Sequence, residues 1–219
     1  MQKNQAAKKA IRFISLSGVA FFFYLNFEST IVDAASDQII VTQDVSAEIS
    51  ITAPADVTMS PSIAGISGGT GDGTATWTVI TGNSTGFNMK IKASTSPALQ
   101  VSGNSFADYT EASAGTPDYT WGIVAADSEF GFTVEPETVG DTVAAFRDNG
   151  AACNTGALNT ADRCWDGLAT TDIDMINRTT ATDGGGEAEV VKFKAQSGAS
   201  HFQPEGTYTA TITVTATTN

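Results

Sequence analysis

Histidine and cysteine are scarce in this chain: His201, Cys153 and Cys164 are the whole supply among 219 residues. One histidine gives no readable Ser-His-Asp or Cys-His arrangement, and two cysteines with one histidine match none of the usual zinc spacings. Positive charge is short as well, with 11 Lys and Arg against 24 Asp and Glu for a formal net charge of -13. That balance offers no footprint for a phosphate backbone, so nucleic acid is not expected as a partner. No apolar run after Leu25 approaches the roughly 20 residues a membrane span needs, so none is expected in the mature chain. The glycine-rich stretch Gly68-Gly69-Thr70-Gly71-Asp72-Gly73 lacks the Gly-Lys-Ser/Thr ending of a phosphate loop and reads as an ordinary loop. No catalytic residue is assigned, and the chain is not expected to be an enzyme.

What is present starts with a basic, then apolar, N-terminus. Lys3, Lys8, Lys9 and Arg12 precede the apolar stretch from Phe13 to Leu25, and Val32-Asp33-Ala34 supplies compact residues at positions -3 and -1 of a cleavage site. Residues 1–34 read as a signal peptide, and the expected location is secreted or extracellular, at a cell surface. Residues 35–219 then carry 7 basic and 22 acidic side chains, so export leaves a more acidic product.

Thirty of those 185 residues are threonine, whose β-branched side chain fits a pleated strand better than a helix. Period-two alternation is clear from Thr74 to Val79, from Phe87 to Lys92, from Val191 to Ala195 and from Tyr208 to Thr217. The first two runs flank Gly82-Asn83-Ser84-Thr85-Gly86 and read as a hairpin. Further strands are expected within Ile39–Ile51, at Tyr119–Ala125 and at Phe130–Val134. Residues 139–147 fit either two helical turns or a loop. The whole predicts an all-β chain: one antiparallel β-sandwich, immunoglobulin-like or related, with an insertion at about 138–182. A second small domain over that stretch is the alternative.

Cys153 and Cys164 enclose ten residues poor in apolar side chains. In an oxidising compartment they are expected to form a disulfide pinning that loop. Asp148, Asp162, Asp166, Asp172 and Asp174 crowd the same region and are the weak candidates for calcium, which takes six to eight oxygen ligands, although their order does not match an EF-hand loop. Solvated loop carboxylates are the plainer reading, and no cofactor is required. Glu129, Glu135 and Glu137 carry no separation in sequence that would identify a glycosidase pair. Tyr109 and Trp165 are the weak candidates for stacking on a sugar ring, against ordinary packing of the same aromatics. Asn83-Ser84-Thr85 and Asn177-Arg178-Thr179 are glycosylation tripeptides.

Thr76-Trp77-Thr78-Val79, the turn from Gly82 to Phe87 and the closing run from Gly206 to Val214 resemble segments of secreted bacterial surface β-sandwiches, including WxL-type cell-wall domains. WxL domains use two Trp-x-Leu segments; here Val79 stands where the leucine would, and no second such segment follows. Cys153, Cys164-Trp165-Asp166-Gly167 and Phe130-Gly131-Phe132 resemble exported proteins of environmental bacteria more closely. That resemblance implies surface location and no particular activity. The expected function is therefore structural or adhesive, in an envelope or filament, with self-assembly or another envelope protein as partner. The alternatives are a non-catalytic polysaccharide-binding module and, further off, a secreted hydrolase.

Overall fold

A computed structural model describes residues 38–219, so the expected signal peptide and its cleavage site lie outside the described residues. Residues 38–43 carry no strand, and Ile39, Ile40 and Val41 are exposed. Every strand of the described residues lies within Asp44–Asn219. In chain order these are β1 (Ile49–Thr52), β2 (Gly69–Thr81), β3 (Phe87–Ala93), β4 (Gln100–Val101), β5 (Asn104–Ser105), β6 (Ala107–Asp108), β7 (Ser128–Pro136), β8 (Asp166–Gly167), β9 (Ile173–Arg178), β10 (Glu187–Ser197) and β11 (Ile212–Thr218). One sheet runs β1-β2-β10-β7-β6, with β8 also on β7; a second runs β11-β3-β9; and β4 and β5 pair as a separate two-stranded antiparallel sheet. Pairing is antiparallel in the first two except for the short parallel ladder between β6 and β7. The architecture is the expected β-sandwich, with a disulfide-pinned loop beside it.

Alternation sets the faces. Ala75, Trp77 and Val79 of β2, Val191, Phe193 and Ala195 of β10, and Phe130, Phe132 and Val134 of β7 point the same way because pairing brings equal parity together. They form one core with Phe87, Met89 and Ile91 of β3. Full burial of each such aliphatic or aromatic side chain contributes about 1.5–3 kcal/mol, which is what holds two sheets face to face. Phe130 and Phe193 stack across the register at 6.0 Å between ring centres.

Several expectations change. The hairpin from Thr74 to Ala93 has its two strands where the alternation put them, but they belong to different sheets and do not pair. The turn is an arch over the core. Gly86 makes it possible: its φ is +81°, and a Cβ there would lie 2.1 Å from the Arg178 carbonyl oxygen. Within Ile39–Ile51 only β1 is strand; among the described residues no ladder includes residues 38–47. Tyr119–Ala125 is irregular chain, with Trp121 turned onto the outside of the first sheet. Residues 139–147 form two 3-10 turns, Val139–Asp141 and Ala144–Phe146. Within 138–182, β9 pairs with β3 as a strand of the second sheet.

The two sides of the sandwich are finished differently. On the β7–β9 side the chain between those strands seals the gap. Thr142 bridges Ile176, the Val143 N–H donates to the Met175 carbonyl at 2.9 Å, and Phe146 packs on Phe132 with ring centres 5.4 Å apart. The Cys153–Cys164 disulfide lies in this segment, and both cysteines join the core. Asn159 Nδ2 donates to the carbonyls of Val134 at 2.8 Å and Phe146 at 3.1 Å, and Thr133 Oγ1 donates to the Arg163 carbonyl. On the other side β1 and β11 end their sheets and touch across the core. There Ile49, Ile212, Val214 and Ala216 are only half-buried.

Candidate functional site

The region singled out by its aromatics and carboxylates sits on the outer face of the first sheet, over β7 and β10. Gly131 lets it approach: a Cβ at that position would lie 2.6 Å from the Asp166 carbonyl oxygen and 2.8 Å from Tyr109 Cβ. Onto this gap Tyr109 stacks with Trp121 at 4.3 Å between ring centres, and Trp121 meets Trp165 edge-on at 5.3 Å. Lys194 Nζ lies 4.9 Å from the centre of the Trp165 ring. Every polar handle is used. Trp121 Nε1 donates to Gln196 Oε1 at 2.5 Å, Trp165 Nε1 to the Asp162 carbonyl at 3.1 Å, and the Tyr109 hydroxyl to Asp118 Oδ2 at 2.8 Å. Burial, then Asp118, pushes the Tyr109 hydroxyl above its ordinary range.

Tyr109 and Trp165 are 3% and 1% exposed, so neither offers a ring face to a sugar. The trio is a brace that binds residues 109–121 and 162–167 to the sheet. Trp121 alone among the three stays partly exposed.

The five aspartates proposed as calcium ligands are not brought together. Asp148 is buried inside its own loop, accepting from the N–H groups of Gly150 at 2.8 Å and Thr160 at 2.7 Å and from Thr160 Oγ1 at 2.9 Å. Burial would raise its pKa, but those bonds outweigh it and hold the carboxyl below its ordinary value. Asp162 and Glu135 both bind Lys192 at 3.0 Å. Asp172 pairs with Lys92 at 3.3 Å and Asp174 with Lys90 at 3.1 Å, on the exposed face of the second sheet. Burial and then the hydrogen bond to Glu111 push Asp166 up; burial would raise Glu111 too, but the bonds from Asp166 and the Gly167 N–H pull it down. Each carboxylate already has donors of its own, and among the described residues no three metal-binding side chains converge.

One polar group was not picked out from the sequence. Glu187 and Glu189 share parity with Val191 and Phe193, so β10 carries them into the sandwich. Arg178 Nη1 reaches Asp141 Oδ2 at 2.6 Å and Glu187 Oε2 at 2.9 Å. Glu189 is fully buried, and neither of its carboxyl oxygens has a hydrogen-bond partner. Burial, then the charges of Glu187 and Asp141, push it to about 8 against the offsetting Arg178. The signal was the parity of Glu187-Ala188-Glu189-Val190-Val191, which places both acids on the apolar face.

An open recess of about 610 Å³ lies between the outer face of the second sheet and the sealing segment, lined by Asn88, Lys90, Asp166, Asp174 and Asn177 among others. Its walls mix these charged and amide side chains with Pro117, Val143, Ala145 and Ile173, and no aromatic ring lines it. Glu129, offered with Glu135 as a glycosidase pair, accepts from the Thr110 N–H at 3.3 Å, and Glu135 is held by Lys192. Among the described residues the aspartates and aromatics named above are thus spent on holding chain to chain, while Glu189 is buried without a partner. The surfaces left to act outward include the threonine-rich sheet faces and the two sheet edges of the open side. Comparison of the chain with protein-family models, curated proteins and solved structures finds no match.

Proposed function

We propose that this protein is an exported, non-catalytic structural or adhesive component of a cell surface, acting through its sandwich surfaces. The observation that carries the reading is the contrast between an elaborately bonded interior and an open side whose strands end both sheets. A disulfide closing a polar loop supports an oxidising compartment, and the basic-then-apolar start supports export. Burial of Tyr109 and Trp165 weighs against the polysaccharide-binding alternative.

Cells expressing the full chain test this reading. Brief protease treatment of intact cells should remove the protein while cytoplasmic markers survive, and the recovered protein should carry no free thiol. Retention inside the cell with both cysteines alkylatable would overturn it. Saturable retention on an insoluble polysaccharide would move the assignment to a binding module.

A further inference from the structure

We infer that one end of the sandwich docks on a net-neutral phospholipid surface, of the phosphatidylcholine type, through Ile66, Val124 and Phe202. The inference deepens the surface-structural reading above, on which it rests, by naming what the protein is held to. Three observations meet at this end.

The first is where these residues lie. Register pairs Ser197 with Gly69 and with Ser128, so the loop before β2, the chain leading into β7 and the loop after β10 meet at one end of the first sheet. Each presents one large apolar side chain to solvent: Ile66 is 79% exposed, Val124 63% and Phe202 70%. Single exposed apolar residues are ordinary, but three on loops in direct backbone contact make a patch. The second is how firmly those loops are joined. The Ser200 N–H donates to the Ala125 carbonyl at 2.8 Å, the Gln203 N–H to the Gly65 carbonyl at 2.9 Å, and His201 Nδ1 to the Ala126 carbonyl at 2.9 Å. A Cβ on Gly65 would lie 2.4 Å from the Gln203 carbonyl oxygen, and one on Gly198 2.4 Å from that of Ala125. The end is therefore set in place before anything binds, which lowers the ordering cost of docking.

The third is what can cover the patch. Backbone that enters a lipid layer must bring its own hydrogen-bond partners. The carbonyls around these side chains already have them. Val124 accepts from the Asp127 N–H at 3.1 Å and Ala64 from the Gly68 N–H at 3.0 Å, closing a turn around Ile66, and Gly65, Ala125 and Ala126 are bonded across the loops. A shallow layer of lipid can take the side chains without stripping those groups. Charge selects the kind of lipid. Residues 61–68, 122–127 and 198–206 contain no lysine or arginine and carry Asp127 and Glu205, on a chain of net charge -13. Anionic headgroups are repelled, whereas a zwitterionic headgroup offers its ammonium group to these two exposed carboxylates. A second copy is a poorer occupant. It brings the same acidic surface, and three side chains fall well short of the roughly 1,200–2,000 Å² that a stable protein contact buries.

Vesicle flotation tests this. Protein recovered from expression of the full chain should float with phosphatidylcholine vesicles, and much less with phosphatidylglycerol vesicles at low salt. Phe202→Asp and Ile66→Asp, in separate loops, should each lower partitioning onto phosphatidylcholine by about tenfold or more, with unchanged far-ultraviolet dichroism. Leu158→Asp, at an exposed apolar residue of the disulfide-bearing segment, is a control expected to float like wild type. Phe202→Trp adds a direct readout: its emission should shift to the blue on phosphatidylcholine vesicles and be quenched by brominated lipid chains. Wild type that stays in solution with phosphatidylcholine overturns the inference. So do tip variants that float like wild type, a Leu158→Asp loss as large as theirs, and a preference for the anionic vesicles. A rise in mass with concentration that Phe202→Asp abolishes, without flotation, would overturn it in favour of a contact between copies. Proteolysis of intact cells reads the surface assignment separately, so failure of that reading and failure of this contact are told apart.

Discussion

The sealed and open sides of the sandwich solve the same problem in opposite ways. Both are margins of the sandwich where the core would meet water. On the β7–β9 side the 36 residues from Glu137 to Asp172 carry their own disulfide, the buried turn acid Asp148 and side chains that bond the flanking strands. On the β1–β11 side nothing comparable is described, and the core is left with half-exposed isoleucine, valine and alanine. A fold that needed only stability would close both. An uncharged, apolar margin on an acidic chain is the surface from which association costs least, since no ion must be desolvated.

The comparison is broken most severely by Phe146→Ala. Phe146 has no exposed surface and holds the sealing segment against Phe132, so its loss should cost about 3–5 kcal/mol in urea unfolding. Removing the disulfide with Cys153→Ser and Cys164→Ser together should cost about 2–4 kcal/mol. Hydrogen exchange should then rise within residues 138–168 while β2 and β10 stay protected.

Glu189→Gln sharpens the picture through pH. The folded-state pKa of Glu189 stands at about 8 against an ordinary 4.5, so the folded protein holds this proton more tightly than the unfolded chain. Its contribution is complete below pH 4.5 and is lost as pH rises toward 8. The variant should therefore match wild type near pH 4 and be more stable by on the order of 2 kcal/mol at pH 8. Arg178 keeps Asp141 and Glu187 as partners in that variant. The smallest effect belongs to the open side: Val214→Ala should cost only about 1 kcal/mol or less in the monomer, because part of its surface already faces water.

Strands whose one face is buried were legible in the sequence because a period of two is hard to produce by accident; β2, β3, β7 and β10 contain the expected runs, but β2 also takes in Gly69–Gly73, which read as a loop and pairs with β10. Sheet membership was not legible. A five-residue turn rich in glycine and asparagine serves a hairpin or an arch equally, and what decided it was the competition of β1 and β10 for both edges of β2. β9 escaped notice because a bulge opposite Met89 and Lys90 breaks its alternation and buries Met175 and Ile176 in succession. Ile39–Ile40–Val41 looked like strand and is not, although its residue types favour one. At the candidate site, the disulfide followed from compartment and proximity. The dispersal of the aspartates did not, because closeness in a loop says nothing about which lysine or backbone amide each one meets.

Residue-resolved amide exchange on dilute, monomeric protein tests the central contrast most directly. The Ser94 N–H donates to the Thr211 carbonyl and the Asn219 N–H to the Gly86 carbonyl, so the odd-numbered residues of β11 bond inward to β3. The account predicts fast exchange at Ile212, Val214, Ala216 and Thr218, alternating with slow exchange at Thr213, Thr215 and Thr217, and protection at Val143 on the sealed side. Uniform protection along β11 in the monomer, or an unprotected Val143 amide, would contradict it.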